Sequence, residues 1–171
     1  LGIEFDKEVL HFVSVYLEKE PGIRIAVNLT ATSISSPVFI EWLKVFMEQH
    51  SKLSTRLYFE LPESAILHSR QQVTLLVDLI IRSGFLWGVD QYGRNFQSLE
   101  YLESLRPSYV KVDYGYTGMV LKDEGDQAFL SAVCRTAHHA GAITFATRVE
   151  DQKQVQVLHK FFVDGYQGFI Q

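Results

Sequence analysis

The sequence predicts an α/β fold built on a parallel sheet. One pattern recurs along the chain: a short β-branched run, a polar turn, then a stretch with apolar residues at i, i+3, i+4 and i+7. Six strand-like runs obey it, about 20–35 residues apart, and strands alternating with helices of about 10–15 residues pair in parallel. No glycine-rich fingerprint follows the first run and no phosphate-loop pattern occurs, which weakens the nucleotide-binding open sheets. The spacing fits an open doubly wound sheet or most of a (β/α)8 barrel.

The first amphipathic stretch places Phe5, Val9, Phe12, Val13 and Tyr16 on one apolar face and closes at Pro21-Gly22. Arg24–Leu29 is the first strand. Ser36-Pro37 then opens a helix, a cap residue followed by the residue best tolerated in a first turn, with Phe39, Trp42, Leu43 and Phe46 as its face. Arg56–Leu61 is the second strand, followed by a helix over Arg70–Ser83 and the third strand over Leu86–Tyr92. A helix over Phe96–Leu105 leads to strand Tyr109–Asp113, and a helix over Gly125–Ala140 to strand Ile143–Val149. Helix Asp151–Phe161 and strand Gly165–Ile170 complete the series. Gly84 and Gly141 stand where left-handed C-terminal caps are wanted. Without a linker, low-complexity tract or near-exact repeat, residues 1–171 read as one domain.

Composition narrows the function. A hydrophobic content of 47% in 171 residues is enough to bury one core, and 21% charged residues with a net charge of −4 do not describe a disordered chain. An acidic chain of pI about 5.9 with no dense Lys/Arg run is a poor partner for DNA. The single cysteine, Cys134, excludes an internal disulfide and a Cys-rich zinc site, and fits a reducing compartment. It follows Phe129, Leu130 and Val133 at helical spacing, so a packed thiol is expected rather than a nucleophile. No apolar run approaches the roughly 20 residues that cross a bilayer, since Asp78 interrupts Val73 to Ile81. The opening Leu1-Gly2-Ile3-Glu4 lacks a signal-peptide pattern. With no initiator Met and an end directly after a strand, the chain reads as a fragment, incomplete at both ends, of a larger protein.

In a parallel α/β fold the active face lies at the C-terminal strand ends. Those ends carry Asn28, Glu60, Asp90 and Lys111, with Thr147 in the comparable place on the fifth run. Each is a polar residue beside apolar ones, as in Val27-Asn28-Leu29 and Val110-Lys111-Val112, so it points opposite to its neighbours. Such groups are costly to bury unless they share a site. Two carboxylates and an amide oxygen are hard ligands suited to Mg²⁺, Mn²⁺ or Ca²⁺, and such a cation beside a lysine can handle a phosphodiester. A single acid at a strand end more often caps the next helix; four polar residues in sequence register reverse that balance. Adjacent His138 and His139 point about 100° apart on a helix and cannot chelate together. His11, His50, His68 and His159 show no ligand spacing, and Trp42 and Trp87 read as packing residues.

At these residues the sequence resembles the EAL domain of cyclic-di-GMP phosphodiesterases. Val27-Asn28-Leu29-Thr30 resembles V-N-L-S, Phe59-Glu60-Leu61-Pro62-Glu63 resembles L-E-I-T-E, and Val89-Asp90-Gln91-Tyr92-Gly93-Arg94-Asn95-Phe96-Gln97-Ser98-Leu99 resembles D-D-F-G-T-G-Y-S-S-L. Val110-Lys111-Val112-Asp113 resembles L-K-I-D, Ala146-Thr147-Arg148-Val149-Glu150 resembles A-E-G-V-E, and Gln167-Gly168-Phe169 resembles Q-G-Y. The resemblance implies a TIM-like (β/α)8 barrel of EAL type. About six of its βα units are covered, and the first two strands, the E-A-L strand among them, would precede Leu1. It implies cyclic di-GMP as the ligand, with Asn28, Glu60 and Asp90 at metal-ligand positions, Lys111 at the catalytic lysine, and Glu150 at the Glu that steadies the loop after D-D-F-G.

The departures from that pattern set the functional expectation. Gln91 replaces the second Asp of the D-D pair, Thr147 replaces a catalytic Glu, and Arg94 and Arg148 replace small residues. Relative to the family pattern the site gains four positive charge units. Arginines there could bind phosphates in place of cations. The expectation is therefore a degenerate, catalytically inactive EAL domain, not an enzyme. It would bind cyclic di-GMP through Asn28, Glu60, Asp90, Gln91, Lys111 and Glu150, with Arg94 and Arg148 as phosphate partners. No cofactor is required on this reading, and Asn28, Glu60 and Asp90 remain as a vestigial Mg²⁺ or Mn²⁺ site. The rivals are a protein-interaction module that no longer binds nucleotide and a weak metal-dependent phosphodiesterase.

Among degenerate members the stretch Ser104 to Asp113, with Ser131-Ala132-Val133-Cys134 and the Glu60-Leu61-Pro62-Glu63 variant, is most similar to LapD-type receptors. Those are inner-membrane proteins with a cytoplasmic EAL domain. The similarity implies a cytoplasmic location, GGDEF, HAMP or membrane modules on the same chain, and a homodimer formed through an exposed apolar helix face.

Overall fold

The structure, a computed structural model, describes residues 2–94, 100–118 and 124–169. Two compact units divide the chain, Leu1–Gly88 and Val89–Gln171. The first contains α1 (Gly2–Lys19), β1 (Ile25–Asn28), α2 (Ala31–Ile34), α3 (Pro37–Gln49), β2 (Leu57–Pro62), α4 (Glu63–His68) and α5 (Arg70–Arg82), and β3 (Leu86–Tyr92) begins in it. β1 and β2 are parallel, with Val27 opposite Phe59 and Asn28 opposite Glu60. Ser36 caps α3 by accepting the Phe39 N–H at 3.3 Å, and Pro37 follows, as the sequence predicts. Phe39, Leu43, Phe46 and Met47 are buried, and Trp42 stacks on Phe39 and Phe46. α5 ends in a Schellman cap: Gly84 N–H donates to the Ile81 carbonyl, Phe85 N–H to that of Ile80, and Gly84 has φ +81°.

The helix α1 forms where expected but turns a different face inward. Asp6, Leu10, Val13, Ser14 and Leu17 are buried, whereas Phe5 and Phe12 stay 66% and 71% exposed and Tyr16 is also exposed. The buried stripe lies one residue along from the expected one. It is fixed by Asp6, whose Oδ2 accepts the Thr30 backbone N–H at 2.8 Å and the Thr30 hydroxyl at 2.9 Å.

The second unit continues β3 and adds α6 (Tyr101–Leu105), β4 (Tyr109–Val112), α7 (Tyr114–Thr117), α8 (Glu124–His139), β5 (Ile143–Thr147), α9 (Gln152–Lys160) and β6 (Gly165–Gln167). β4 pairs with β5 and β5 with β6, all parallel. α8 ends in a second Schellman cap around Gly141 (φ +83°). Leu130, Val133, Cys134 and Ala137 of α8 are buried, as are Val110, Val112 and Ala146 of the strands that α8 covers, β4 and β5. β5 stops short of the expected Val149 because Arg148 takes a left-handed turn, φ +55°. The expected Asn95 loop residue, the Phe96 helix start, Gln97-Ser98-Leu99 and the Ile170 strand end lie outside the described residues.

All six expected strands are present, and their order follows the chain: β1-β2-β3 in the first unit, β3-β4-β5-β6 in the second. Doubly wound sheets reverse their order at a switch point. Sequential parallel strands with helical crossovers are the arrangement of a (β/α)8 barrel.

Candidate functional site

The alternation expected at the strand ends holds on β1, β4 and β5, whereas on β2 Glu60 is buried together with Phe59 and Leu61. On β1, Val27 is buried and Asn28 exposed; on β4, Val110 and Val112 are buried while Lys111 is half-buried; on β5, Ala146 is buried and Thr147 half-buried. Side chains of successive strand residues point to opposite faces, so the polar set stands away from the helix-covered face.

In the first unit the register brings Asn28 and Glu60 side by side on adjacent parallel strands. Asn28 is exposed, while Glu60 is only 1% exposed and makes further polar contacts. Thr30, two residues beyond Asn28, is held by Asp6 and in turn caps α2, accepting the Ser33 N–H at 3.3 Å. Asp6 therefore anchors the turn leaving the site strand. Sequence reasoning missed it, since nothing local marks a helix carboxylate as the partner of a residue 24 positions away.

In the second unit, Asp90 is half-buried near the end of β3, and no other described residue engages its carboxylate. Gln91 follows in a left-handed conformation, φ +56°, and its Oε1 accepts from Arg94 Nη1 at 3.2 Å. Lys111 lies on β4. The Thr147 hydroxyl donates to the Val112 carbonyl at 3.3 Å, and its own carbonyl accepts from the Thr117 hydroxyl at 3.2 Å. Gln154, 8% exposed, joins the next turn by accepting the Glu150 N–H at 3.3 Å and donating to the Thr117 carbonyl at 3.2 Å. The Glu150 side chain is exposed. The Arg148 guanidinium lies over the Tyr114 ring, 5.3 Å from its centroid, and has no ion-pair partner among the described residues. Tyr114, Thr117 and Gln154 carried no sequence signal, because each acts through a loop brought near by the fold.

The expected set is thus held as Asn28 with Glu60 in one unit, and Asp90, Gln91, Arg94, Lys111, Thr147, Arg148 and Glu150 at the ends of β3, β4 and β5 in the other. Asn28 and Glu60 in the first unit and Asp90 in the second each carry hard oxygen donors, the ligand type that Mg²⁺ and Mn²⁺ take. Among the described residues no group of three or more His, Cys, Asp or Glu gathers as a metal cluster. No helix among them is long and apolar enough to cross a membrane. Cys134 is a packed thiol, as expected: burial pushes its pKa up to about 12, although the Thr144 hydroxyl pulls the other way. His138 pairs with Asp164 at 2.7 Å while His139 is exposed.

Sequential parallel βα units with polar residues at the carboxyl ends of the strands define a TIM-barrel-type domain. The profile of the EAL domain matches residues 1–171, and the chain belongs to the EAL domain family. It is similar to the S helix-GGDEF-EAL structure of Vibrio cholerae LapD, at 39% identity and a TM-score of 0.94, over 98% of this chain and 41% of that one. The same protein bound to c-di-GMP matches at a TM-score of 0.92. Among curated relatives, "Probable cyclic di-GMP phosphodiesterase PdeG" of Escherichia coli K12 is 25% identical over 86% of this chain and 29% of its own length. "Cyclic di-GMP phosphodiesterase PdeB" of Shewanella oneidensis is 24% identical over 97% of this chain and 20% of its own length. The chain therefore spans less than a third of the length of these curated relatives.

The relatives correct one expectation. A domain that is not an enzyme was expected from Gln91 and Thr147, yet relatives matching most of this chain are named phosphodiesterases. Two neutral side chains do not decide the matter physically. Glu60, Asp90 and Lys111 keep two carboxyl groups and an amine at their strand ends, while Gln91 accepts a hydrogen bond from Arg94 and Thr147 donates one to the Val112 carbonyl.

Proposed function

We propose that this EAL domain recognises cyclic di-GMP at its strand ends and acts as a signal-transducing receptor module of a larger protein. The observation that carries this reading is the 39% identity, over 98% of the chain, to a LapD structure that also exists bound to c-di-GMP. The residues assigned to the ligand are Asn28, Glu60, Asp90, Gln91, Lys111 and Glu150. Arg94 and Arg148 would offset phosphate charge by charge-assisted hydrogen bonds. A GGDEF module on the same chain, a homodimer and a cytoplasmic setting belong to the proposal.

The second reading is metal-dependent hydrolysis of the same ligand, favoured by the names of the curated relatives. Asn28, Glu60 and Asp90 would then hold Mg²⁺ or Mn²⁺, which supplies Lewis acidity and an activated water when bound. Lys111 would stand by with its ammonium to stabilise developing negative charge.

Calorimetric titration of cyclic di-GMP into the full-length protein, with Mg²⁺ and again with EDTA, tests both. Binding in EDTA with the ligand recovered intact supports the receptor. Linear dinucleotide recovered from the Mg²⁺ sample supports the second reading. No heat in either buffer would sink both.

A further inference from the structure

Arg148 occupies a backbone position that costs the protein something. Its φ of +55° lies in the left-handed region, where a side chain with a Cβ is strained and glycine is relaxed. Non-glycine residues held there tend to be retained for the work of their side chains. This side chain reaches Tyr114, the first residue after β4 and its Asp113 turn, and sets its guanidinium over the ring at 5.3 Å. Tyr114 is 43% exposed and Arg148 is exposed, so the pair is a surface feature at the same strand ends as Lys111 and Thr147. The loop beneath is firm: Thr147 is tied to Val112 and Thr117, and Gln154 bridges Thr117 to Glu150.

A cation placed only for phosphate needs its edge N–H groups and no aromatic support. A guanidinium set over an aromatic ring gains a different use, because a flat cation on the protein surface can also take a second flat π-system. Base stacking of this kind is worth roughly 1–3 kcal/mol per base, or about five- to 150-fold in affinity. Resting on the cyclic-dinucleotide reading above, we propose that Arg148 and Tyr114 together form a stacking platform for one purine base of the ligand. Arg148 would then be a specificity residue as well as a source of charge.

The test uses the full-length protein and a cyclic dinucleotide carrying 2-aminopurine in place of one guanine, whose fluorescence is quenched on stacking. Unaltered protein should quench it on binding. Arg148→Lys keeps the charge without the plane, and should lose the quench and about tenfold in affinity. Tyr114→Ala should do the same. Arg148→Gly relaxes the backbone, so it should raise Tm by about 2–4 °C while weakening binding by at least as much as the lysine variant. A platform-free role for Arg148 predicts otherwise: Arg148→Lys and Tyr114→Ala binding and quenching like the unaltered protein would overturn the proposal and leave the binding reading intact. Failure of the unaltered protein to bind either the labelled or the natural dinucleotide would overturn both.

Discussion

Asp6 and Thr30 are joined twice: one carboxylate oxygen of the helix residue takes both the backbone N–H and the hydroxyl of the loop residue, at 2.8 and 2.9 Å. Asp6 is 2% exposed, so this is a buried acceptor satisfied by two donors two residues beyond Asn28. Removing the acceptor leaves those donors facing a cavity. Asp6→Ala should destabilise the protein by about 2–3 kcal/mol in urea denaturation, the cost of leaving two neutral donors without their acceptor. Thr30→Val should cost less, because its N–H keeps the carboxylate.

Cys134 offers a gauge of opening in the second unit. Its thiol is buried in α8 with a pKa near 12, so at pH 8 only about one molecule in 10⁴ carries the thiolate. The native protein should resist alkylation by iodoacetamide over hours and react at the rate of a free thiol in urea. Prompt labelling of the native protein would mean that α8 lifts from β5 far more readily than the packing implies.

The base of β5 has an acid limb. Burial alone would raise the pKa of Asp164, but bonds from the Thr144 N–H, His138 and the Thr144 hydroxyl outweigh it and hold the carboxyl below the usual range. The same oxygen receives all three, at 2.8, 2.7 and 2.9 Å. A depressed folded pKa contributes stability above the unfolded value of about 3.9, and loses it as pH falls through the lower folded value. Urea midpoints should therefore drop below about pH 4, and more gently in Asp164→Asn. Equal slopes for the two proteins would show that the carboxylate is not the titrating group.

Much of this architecture could be read from residue order, and the exceptions have a common cause. β3 has its predicted ends because a Schellman glycine precedes it and a buried apolar run, Trp87 to Val89, leads into the polar Asp90 and Gln91. The Ser36-Pro37 cap and the glycine caps depend on neighbours within six residues, so local rules find them. α1 fails for the opposite reason. Two stripes on it have helical period and share Val13, and the more apolar one leaves Phe5, Phe12 and Tyr16 exposed. The choice between them is made by Asp6 finding Thr30 across 24 residues. The site follows the same division. Asn28, Glu60, Asp90 and Lys111 announce themselves by position on their strands, whereas Tyr114, Thr117 and Gln154 matter only once separate loops meet.

Gly168 shows how a familiar motif can rest on simple exclusion. A Cβ built there would run into the backbone nitrogen and carbonyl of Val149, which itself donates to the Gln167 carbonyl at 3.1 Å. Backbone cannot yield as the tip of a flexible side chain can. Gly168→Ala must therefore push β6 away from the turn carrying Arg148 and Glu150, and should cost more than about 3 kcal/mol, among the larger single-residue effects. The same displacement would move the Arg148 guanidinium off Tyr114, so loss of cyclic-di-GMP affinity should accompany the fall in Tm. Gly141→Ala is the control: nothing lies within 4 Å of its added Cβ, and its penalty comes only from φ +83°. That variant should lose about 1–2 kcal/mol of stability and keep its affinity for the dinucleotide. If Gly168→Ala loses stability without affinity, the turn beside β6 does not govern the site.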